Sequence, residues 1–372
     1  MQLTVLFIII GLAILFDFLN GFHDAANSIA TVVTTKVLTP IQAVIWAAFF
    51  NFVAFFIAKF IIGEFGVADT IAKIIKEDVV VAFGSNPSVV VMAALSAAIT
   101  WNILTWKLGI PSSSSHTLIG GLAGGALAAT GYDFSAINST IILTIIAFIL
   151  VAPIIGLVAG NVIYIITLNL CRNAKPHKAD AWFKKLQLVS SAMLSIGHGL
   201  NDSQKVMGVI TFALLANQTA IVNTDMNDWI LNDVFNWKHW FITTSSTDIH
   251  DWVPIMCFSA IALGTLGGGM KILKTMGNKI TKITPIEGFT AQTASAITLF
   301  FTEHIKMPVS TTHVITGSII GVGMVKRVSA VRWGVTISLL WAWILTIPVS
   351  ALIATGFYYL FSCLLYTSDA AD

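Results

Sequence analysis

Two aspartates, Asp24 and Asp202, stand in short polar breaks within long apolar runs of the sequence. An ionised carboxylate at membrane depth costs several kcal/mol unless it faces a partner or a wet cavity. The two breaks are 178 residues apart, so the same placement recurs in each half of the chain. The pair predicts a site for a cation or a charged substrate, with a structural charge held by helix ends as the alternative. Asp17 is a third acid inside an apolar run, without a counterpart in the other half.

Each aspartate is followed three residues later by a polar side chain, Asn27 in the first half and Lys205 in the second. Residues three apart on a helix share a face. The Lys205 ammonium could neutralise Asp202 as an ion pair, or it could stand where a bound cation sits in the other half, and the sequence leaves both open. His23, beside Asp24, is a candidate proton relay because histidine titrates near neutral pH.

Two clusters of hydroxyl side chains give the strongest signal for an anion. Each follows a proline, and the two segments are 111–116 and 308–313. Proline suits the first turn of a helix because it fixes a helical φ and needs no backbone donor. That turn presents free N–H groups at the positive end of the helix dipole. Two such helix starts that converge near the midplane could surround a tetrahedral oxyanion. Simple N-capping is the alternative, although one residue would suffice for it.

The elements that position these residues must lie in a membrane. Of 372 residues, 56% are apolar and 10% are charged, whereas a soluble domain carries roughly 25% charged residues. The apolar residues are enough for about ten spans of roughly 20 residues each. Lipid offers backbone groups no partner, and runs of this length do not alternate as barrel strands do. We therefore expect an all-α polytopic membrane protein.

Several function classes are excluded. The net charge of +2 gives no case for nucleic-acid binding, and the three cysteines lie too far apart in sequence for a metal or redox motif. The sequence contains no Walker A motif and no hydrolase elbow. We therefore expect neither an enzyme nor an ATP-driven pump, and no cofactor.

The charges between the apolar runs sort by sign. Basic residues dominate segments 171–185, 271–287 and 326–332, whereas acidic residues dominate 217–252. The positive-inside tendency puts the basic segments in the cytoplasm and the acidic one outside. The N-terminus then also lies outside, in a multi-pass protein of the inner (plasma) membrane. The ten apolar runs that predict the helices are 2–19, 41–63, 88–106, 112–130, 140–170, 187–216, 253–272, 289–302, 308–325 and 333–361.

The same topology predicts one hairpin in each half, each carrying a hydroxyl cluster. One hairpin starts and ends outside, and the other starts and ends in the cytoplasm. Each half then has an odd number of crossings, so two tandem copies have inverted topology, as in many secondary transporters. The predicted units are a first inverted repeat over 1–170, a cytoplasmic basic linker over 171–186, a second inverted repeat over 187–361, and a truncated or foreign tail over 362–372.

With these motifs the sequence resembles the inorganic phosphate transporter family, the phosphate permeases. The resemblance covers residues 1–361 and rests on segments 20–27, 111–116, 201–205 and 308–313. It implies two inverted repeats with paired helical hairpins, and import of inorganic phosphate with sodium or protons. The residues expected at phosphate are Ser113, Ser114, Ser115, Ser310, Thr311, Thr312, Asn27, Gln204 and Lys205. Those expected at the coupling cation are Asp24, Asn27, Asn201, Asp202 and His23.

Two departures distinguish this chain from sodium-coupled members of the family. Many of those have Ala-Asn-Asp where this chain has Phe22-His23-Asp24, and Asn where Lys205 stands. The pattern here is similar to the bacterial low-affinity branch, which is associated with proton coupling and metal–phosphate substrates. We hypothesise coupling to protons, with the Lys205 ammonium in a cation position. Sodium coupling and co-transport of Mg²⁺ with phosphate stay open.

The sequence also leaves two other functions open. The first is a transporter of sulfate or another oxyanion, which competition by sulfate would test. The second is a passive anion channel, which would need no paired carboxylates and would not accumulate its substrate. The oligomeric state is open as well, with a homodimer as one option.

Overall fold

A computed structural model describes residues 2–223 and 237–369 of the chain, and these residues are almost entirely helical. The helices are α1 (Gln2–Thr34), α2 (Pro40–Ile57), α3 (Gly66–Ala72), α4 (Glu77–Ala82), α5 (Pro87–Leu108), α6 (Ser114–Ala129), α7 (Ser139–Leu170), α8 (Pro176–Ala216), α9 (Gln218–Asn223), α10 (Trp252–Gly267), α11 (Met270–Lys274), α12 (Pro285–His304), α13 (Thr311–Lys326) and α14 (Trp333–Asp369). Nine of the ten predicted apolar runs fall largely on one long helix each, and the tenth, 253–272, is divided between α10 and α11. The all-α fold class is confirmed.

Two helical hairpins carry the hydroxyl clusters, as the sequence predicts. Helices α5 and α6 form the first, and α12 and α13 form the second. Each hairpin turns at a residue with positive φ, Gly109 at 67° and Lys306 at 57°. Each second helix begins directly after an N-cap serine, Ser113 or Ser310, whose hydroxyl accepts from a backbone N–H three residues on. The caps therefore fix where α6 and α13 begin.

Two further helices are broken next to the hairpin turns. Helix α2 continues through a π-helical turn, Ala58–Ile62, and ends at Gly63, which has φ 77°. Helix α10 ends at Gly267, and Gly269 with φ 87° leads into α11. The axis bends by 69° there. Glycine tolerates this left-handed backbone because it has no Cβ.

Several helices are suited to a membrane by length and composition. Five described helices are long and apolar enough to cross one, and a sixth span results if the bent pair α10 and α11 counts as one. The spans are Leu3–Thr34, Pro40–Ile62, Pro87–Leu108, Ser139–Leu170 and Trp333–Leu364, with Trp252–Gly267 and Lys271–Gly277 as the bent pair. The chain is therefore a multi-pass membrane protein.

Glycines on the hairpins let neighbouring helices approach closely. A Cβ at Gly317 or Gly321 on α13 would meet the backbone of α7, and a Cβ at Gly120 or Gly124 on α6 would meet the backbone of α14. Small residues at such contacts allow tight helix packing within membranes. The two glycine pairs therefore hold each hairpin against the last long helix of the other half.

Two predicted segment boundaries fall differently on the described helices. The loop after α7 ends at Lys175, so most of the predicted linker 171–186 forms the first turns of α8. Helix α14 continues to Asp369 and passes the predicted boundary after Phe361. Much of the acidic segment 217–252 and the last residues of the predicted tail, 370–372, lie outside the described residues.

Candidate functional site

The two hydroxyl clusters meet α1 and α8 in the interior of the protein. Asn27 on α1 donates its amide to the Thr312 hydroxyl of the second hairpin at 2.9 Å and lies 3.4 Å from the Thr311 hydroxyl. Lys205 on α8 donates to the Ser115 hydroxyl of the first hairpin at 2.6 Å. All five side chains are buried. Each long helix thus contacts the hairpin of the other half.

Asp24 lies between a histidine and both hydroxyl clusters. His23 Nδ1 is 2.6 Å from Asp24 Oδ1. The hydroxyls of Ser114 and Thr312 lie 3.3 and 3.5 Å from Asp24 Oδ2. His23 is held in turn by Thr105, whose hydroxyl is 3.2 Å from Nε2. Asp24 therefore contacts His23 and one hydroxyl from each hairpin.

Asp202 has an equivalent position with different partners. The Lys205 ammonium is 2.5 Å from Asp202 Oδ1. His198 Nε2 is 3.1 Å from Asp202 Oδ2, and the Thr311 hydroxyl donates to the same oxygen at 3.3 Å. The relative exposure of Asp202 is 0%. A buried carboxylate needs such partners because desolvation is otherwise uncompensated.

The Lys205 ammonium has its three hydrogen-bonding positions filled by oxygen atoms. The acceptors are Asp202 Oδ1 at 2.5 Å, Ser115 Oγ at 2.6 Å and the Val309 carbonyl at 2.6 Å. A protonated lysine has three donors and no acceptor, so this set satisfies it. Its side chain is 2% exposed. A carboxylate, a hydroxyl and a carbonyl are also the ligand types that hard cations such as Ca²⁺ and Mg²⁺ use.

The contacts of the two halves correspond by sequence position. Offsets of 178 on the long helices and 197 on the hairpins pair Asn27 with Lys205 and Ser115 with Thr312. The contact of Asn27 with Thr312 is then the counterpart of the contact of Lys205 with Ser115. Likewise Ser114 beside Asp24 corresponds to Thr311 beside Asp202. The second half differs by carrying an ammonium where the first half carries an amide.

The two helix starts also contact each other. The Thr312 hydroxyl lies 3.4 Å from the Ser112 carbonyl, and the Ser115 hydroxyl lies 3.5 Å from the Val309 carbonyl. The rings of His116 and His313 lie with centroids 4.8 Å apart. Because an α-helix leaves its first four N–H groups without intrahelical acceptors, two positive helix ends point into one small region. Such helix ends favour an anion through neutral backbone donors, beside the Lys205 ammonium at Ser115.

His198 is a site residue that the sequence prediction missed. Its Nδ1 is 3.2 Å from Asn51 Oδ1, and the Asn51 amide donates to the Thr265 hydroxyl at 2.8 Å. Asp24, His198 and Asp202 together offer ligand atoms that all lie within 4.8 Å of one another, close enough to share a metal ion. The signal was available, since a histidine four residues before Asp202 shares its helix face.

Four predicted residues have other roles or positions. Ser113 and Ser310 act as N-caps, so their oxygens accept from backbone N–H groups. Asn201 is fully buried, and its side-chain atoms have no hydrogen-bond partner in the described part of the chain. Gln204 is not brought to the hydroxyl clusters. Its oxygen accepts from the Val67 N–H at 3.0 Å and its amide donates to Glu303 at 2.6 Å.

The sequence is similar to a known protein family and to individual relatives in it. The sequence matches the phosphate transporter family (PHO4) over residues 20–178 and 168–354. It is 46% identical over 353 residues to a probable low-affinity inorganic phosphate transporter of Rhizobium meliloti (strain 1021), covering 94% of this chain and 95% of that protein. It is 42% identical over 358 residues to a probable low-affinity inorganic phosphate transporter of Bacillus subtilis (strain 168), covering 96% and 97%.

One solved structure has a similar fold. It is described as the sodium-dependent phosphate transporter, and it superposes with a TM-score of 0.77 over 97% of this chain and 99% of that chain. The sequence identity is 23%. The similarity establishes a common fold across almost the whole molecule.

Proposed function

The chain belongs to the phosphate transporter family, and from this premise we propose that it is a secondary active symporter that imports inorganic phosphate with protons. The observation that carries the proposal is the Lys205 ammonium, bound between Asp202, Ser115 and the Val309 carbonyl. In this proposal it occupies a position that a cation takes in sodium-coupled relatives. The fixed positive charge makes sodium unnecessary there.

Phosphate binds, in this proposal, where the two hairpins meet. The hydroxyls of Ser114, Ser115, Thr311 and Thr312 and the amide of Asn27 supply neutral donors, and the two helix starts supply N–H groups. Asn27 now donates to the two threonine hydroxyls, Ser114 donates to Asn20 and Asp24, and Ser115 accepts from Lys205. Phosphate would replace these side-chain contacts, so little reorganisation of the backbone is needed.

The acidic groups of the site favour phosphate over sulfate. Asp24 Oδ2 faces hydroxyls from both hairpins and can accept a hydrogen bond from a protonated oxyanion. Phosphate carries a proton at neutral pH, whereas sulfate does not. A site built to accept a hydrogen bond rejects a ligand that lacks the donor, because its buried acceptor is then unpaired. We therefore expect excess sulfate to compete poorly with phosphate.

Two inverted repeats provide alternating access in this proposal. Its support is a pair of matching contacts at the hairpin turns. The Thr70 hydroxyl of α3 donates to the Lys306 carbonyl at 3.0 Å, and the Thr275 hydroxyl donates to the Gly109 carbonyl at 3.2 Å. Lys306 and Gly109 are the positive-φ turn residues, 197 positions apart. We propose units 1–170 and 187–361, with basic loops in the cytoplasm of the inner membrane and the N-terminus outside.

The test compares two substitutions of Lys205 in proteoliposomes. Lys205→Asn removes the charge and adds an oxygen ligand, whereas Lys205→Met removes the charge without adding one. We expect radiolabelled phosphate uptake by Lys205→Asn to be stimulated by a sodium gradient, and uptake by the parent and Lys205→Met not to be. Sodium-stimulated uptake by the parent protein would contradict the proposal. So would a Lys205→Asn variant that keeps proton-driven accumulation with no sodium response.

A further inference from the structure

A cavity of about 270 Å³ lies beside the turn of the second hairpin. Four of its lining side chains are ionisable or charged: Glu64, Glu303, His304 and Lys306. Glu64 and Lys306 form an ion pair at 2.9 Å, with both side chains at least half exposed. The cavity is therefore wet at its mouth. In the proposed orientation it opens to the extracellular side.

Glu303 is the buried acid of this cavity. It is 7% exposed, whereas Glu64 in the same cavity is 59% exposed. Its Oε1 accepts from the Gln204 amide at 2.6 Å, and its Oε2 has no hydrogen-bond partner within residues 2–223 and 237–369. An ionised oxygen that is buried and unpaired pays a desolvation cost, and protonation removes it. Glu303 is thus placed to bind a proton from the cavity.

Gln204 links Glu303 to α8, the helix that carries Lys205. That residue precedes Lys205 on α8, and its other side-chain atom accepts from the Val67 N–H of α3. A single amide therefore joins the second hairpin, α8 and α3. Hydrogen bonds to an ionised acceptor are roughly twice as strong as neutral ones. Protonation of Glu303 would weaken its hydrogen bond with the Gln204 amide. The second hairpin would then be less firmly held and could move.

The charged and titratable groups that face Glu303 come from several elements. The Lys205 ammonium on α8 and the Glu64 carboxylate next to α3 act on it electrostatically. His304 and Lys306 line the same cavity from the hairpin turn. Asp202 forms an ion pair with the Lys205 ammonium at 2.5 Å, and its negative charge offsets much of the effect of that ammonium on Glu303. Exchange with cavity water can therefore change the charge at Glu303 while the buried pair stays intact.

The other half of the protein differs at the matching position. The hairpin offset of 197 pairs Glu303 with Trp106. Trp106 lies in the wall of a second, smaller cavity of about 120 Å³ with Phe22 and His23, and the Lys271 ammonium lies 4.4 Å from its ring. A tryptophan side chain does not take up a proton near neutral pH. The two cavities therefore differ in chemistry at these matching positions.

We propose that Glu303 binds the coupling proton from this cavity. The inference rests on the proposed proton symport and names the residue that performs it. In the step, a hydronium ion in the cavity water transfers its proton to Oε2, so that one hydronium O–H bond breaks, one Oε2–H bond forms, and a water molecule and a neutral carboxylic acid result. After the carrier has reoriented, the Oε2–H bond breaks and the proton passes to a water molecule on the other side of the membrane.

The test separates coupling from translocation. Proteoliposomes with purified full-length protein are assayed for radiolabelled phosphate accumulation under an inward proton gradient, and for phosphate–phosphate exchange without a gradient. Glu303→Gln is expected to lose accumulation and to retain exchange, with exchange no longer dependent on pH. Glu303→Asp is expected to retain both activities with a shifted pH profile. Glu64→Gln, a carboxyl change in the same cavity, is the matched control and should still accumulate phosphate.

Three results would overturn the assignment. The first is proton-driven accumulation by Glu303→Gln at the parent level. The second is loss of exchange in both Glu303 variants while they still bind phosphate, because the carboxyl would then be required for translocation itself. The third is a parent protein that accumulates phosphate on sodium alone, which removes the coupling proton. The parent is measured separately, so failure of the proposed symport is distinguished from failure of the Glu303 assignment.

Discussion

Asp202→Asn is expected to destabilise the folded protein strongly. The substitution leaves the Lys205 ammonium buried at 2% exposure without its carboxylate partner at 2.5 Å. Removal of one partner from a buried pair costs about 3–5 kcal/mol. Ser115 and the Val309 carbonyl still accept from the ammonium at 2.6 Å, so we expect the lower end of that range. At roughly 2–4 °C per kcal/mol, the melting temperature should fall by about 6–12 °C.

The double variant Asp202→Asn/Lys205→Met is the matched control. It removes both charges, and methionine fills most of the volume of the lysine stem. Replacement of a whole buried ion pair by groups of similar size is often neutral or stabilising. The double variant should therefore melt within about 3 °C of the parent by the same conversion, although it should not transport phosphate.

The melting temperature of each variant can be measured through the thiol of Cys257 on α10, which is buried in the folded protein. Cys363 is exposed and Cys171 is partly exposed, so both are first replaced by serine. A thiol-reactive fluorophore then reports the temperature at which α10 separates from its neighbours. A double variant that melts as low as Asp202→Asn would refute the reasoning, because charge compensation by Lys205 would then not be what stabilises the site.

Two further predictions concern packing and the support of the site. Gly321→Ala should lower stability by about 1–3 kcal/mol, because its Cβ would meet the backbone of α7, whereas Gly11→Ala, with no atom within 4 Å, should not. Thermal melting of the two variants compares them directly. Asn51→Leu should slow uptake by about tenfold or more, because His198 loses the side chain that orients it beside Asp202. Uptake at the parent rate in that variant would show that His198 does not need this partner.

The fold was predictable where the sequence is long and apolar. Ten apolar runs predict helices because lipid offers backbone groups no partner, and a helix satisfies them within the segment. The short helices were not predicted. Helices α3 and α11 have 7 and 5 residues, too few for a hydrophobic period to be visible. Their boundaries depend on glycines with positive φ, such as Gly269, and on contacts with the hairpin turns.

The site was predictable where the repeat duplicates it. Asp24, Asp202 and the hydroxyl clusters were found because each has a counterpart in the other half. Gln204 shows where that reasoning stopped. It lies two residues from Asp202, and residues two apart on a helix do not share a face. Its amide therefore reaches Glu303 rather than the hydroxyls. The contact between Gln204 and Glu303 is visible only once the second hairpin is packed against α8.

The most direct test of the account is radiolabelled phosphate uptake by the purified protein in proteoliposomes. An inward proton gradient and an inward sodium gradient are imposed separately, and Asp24→Asn serves as the blank. We predict accumulation above equilibrium with the proton gradient alone and none in the blank. Accumulation that requires sodium would contradict proton coupling, and passive equilibration in every condition would contradict symport itself.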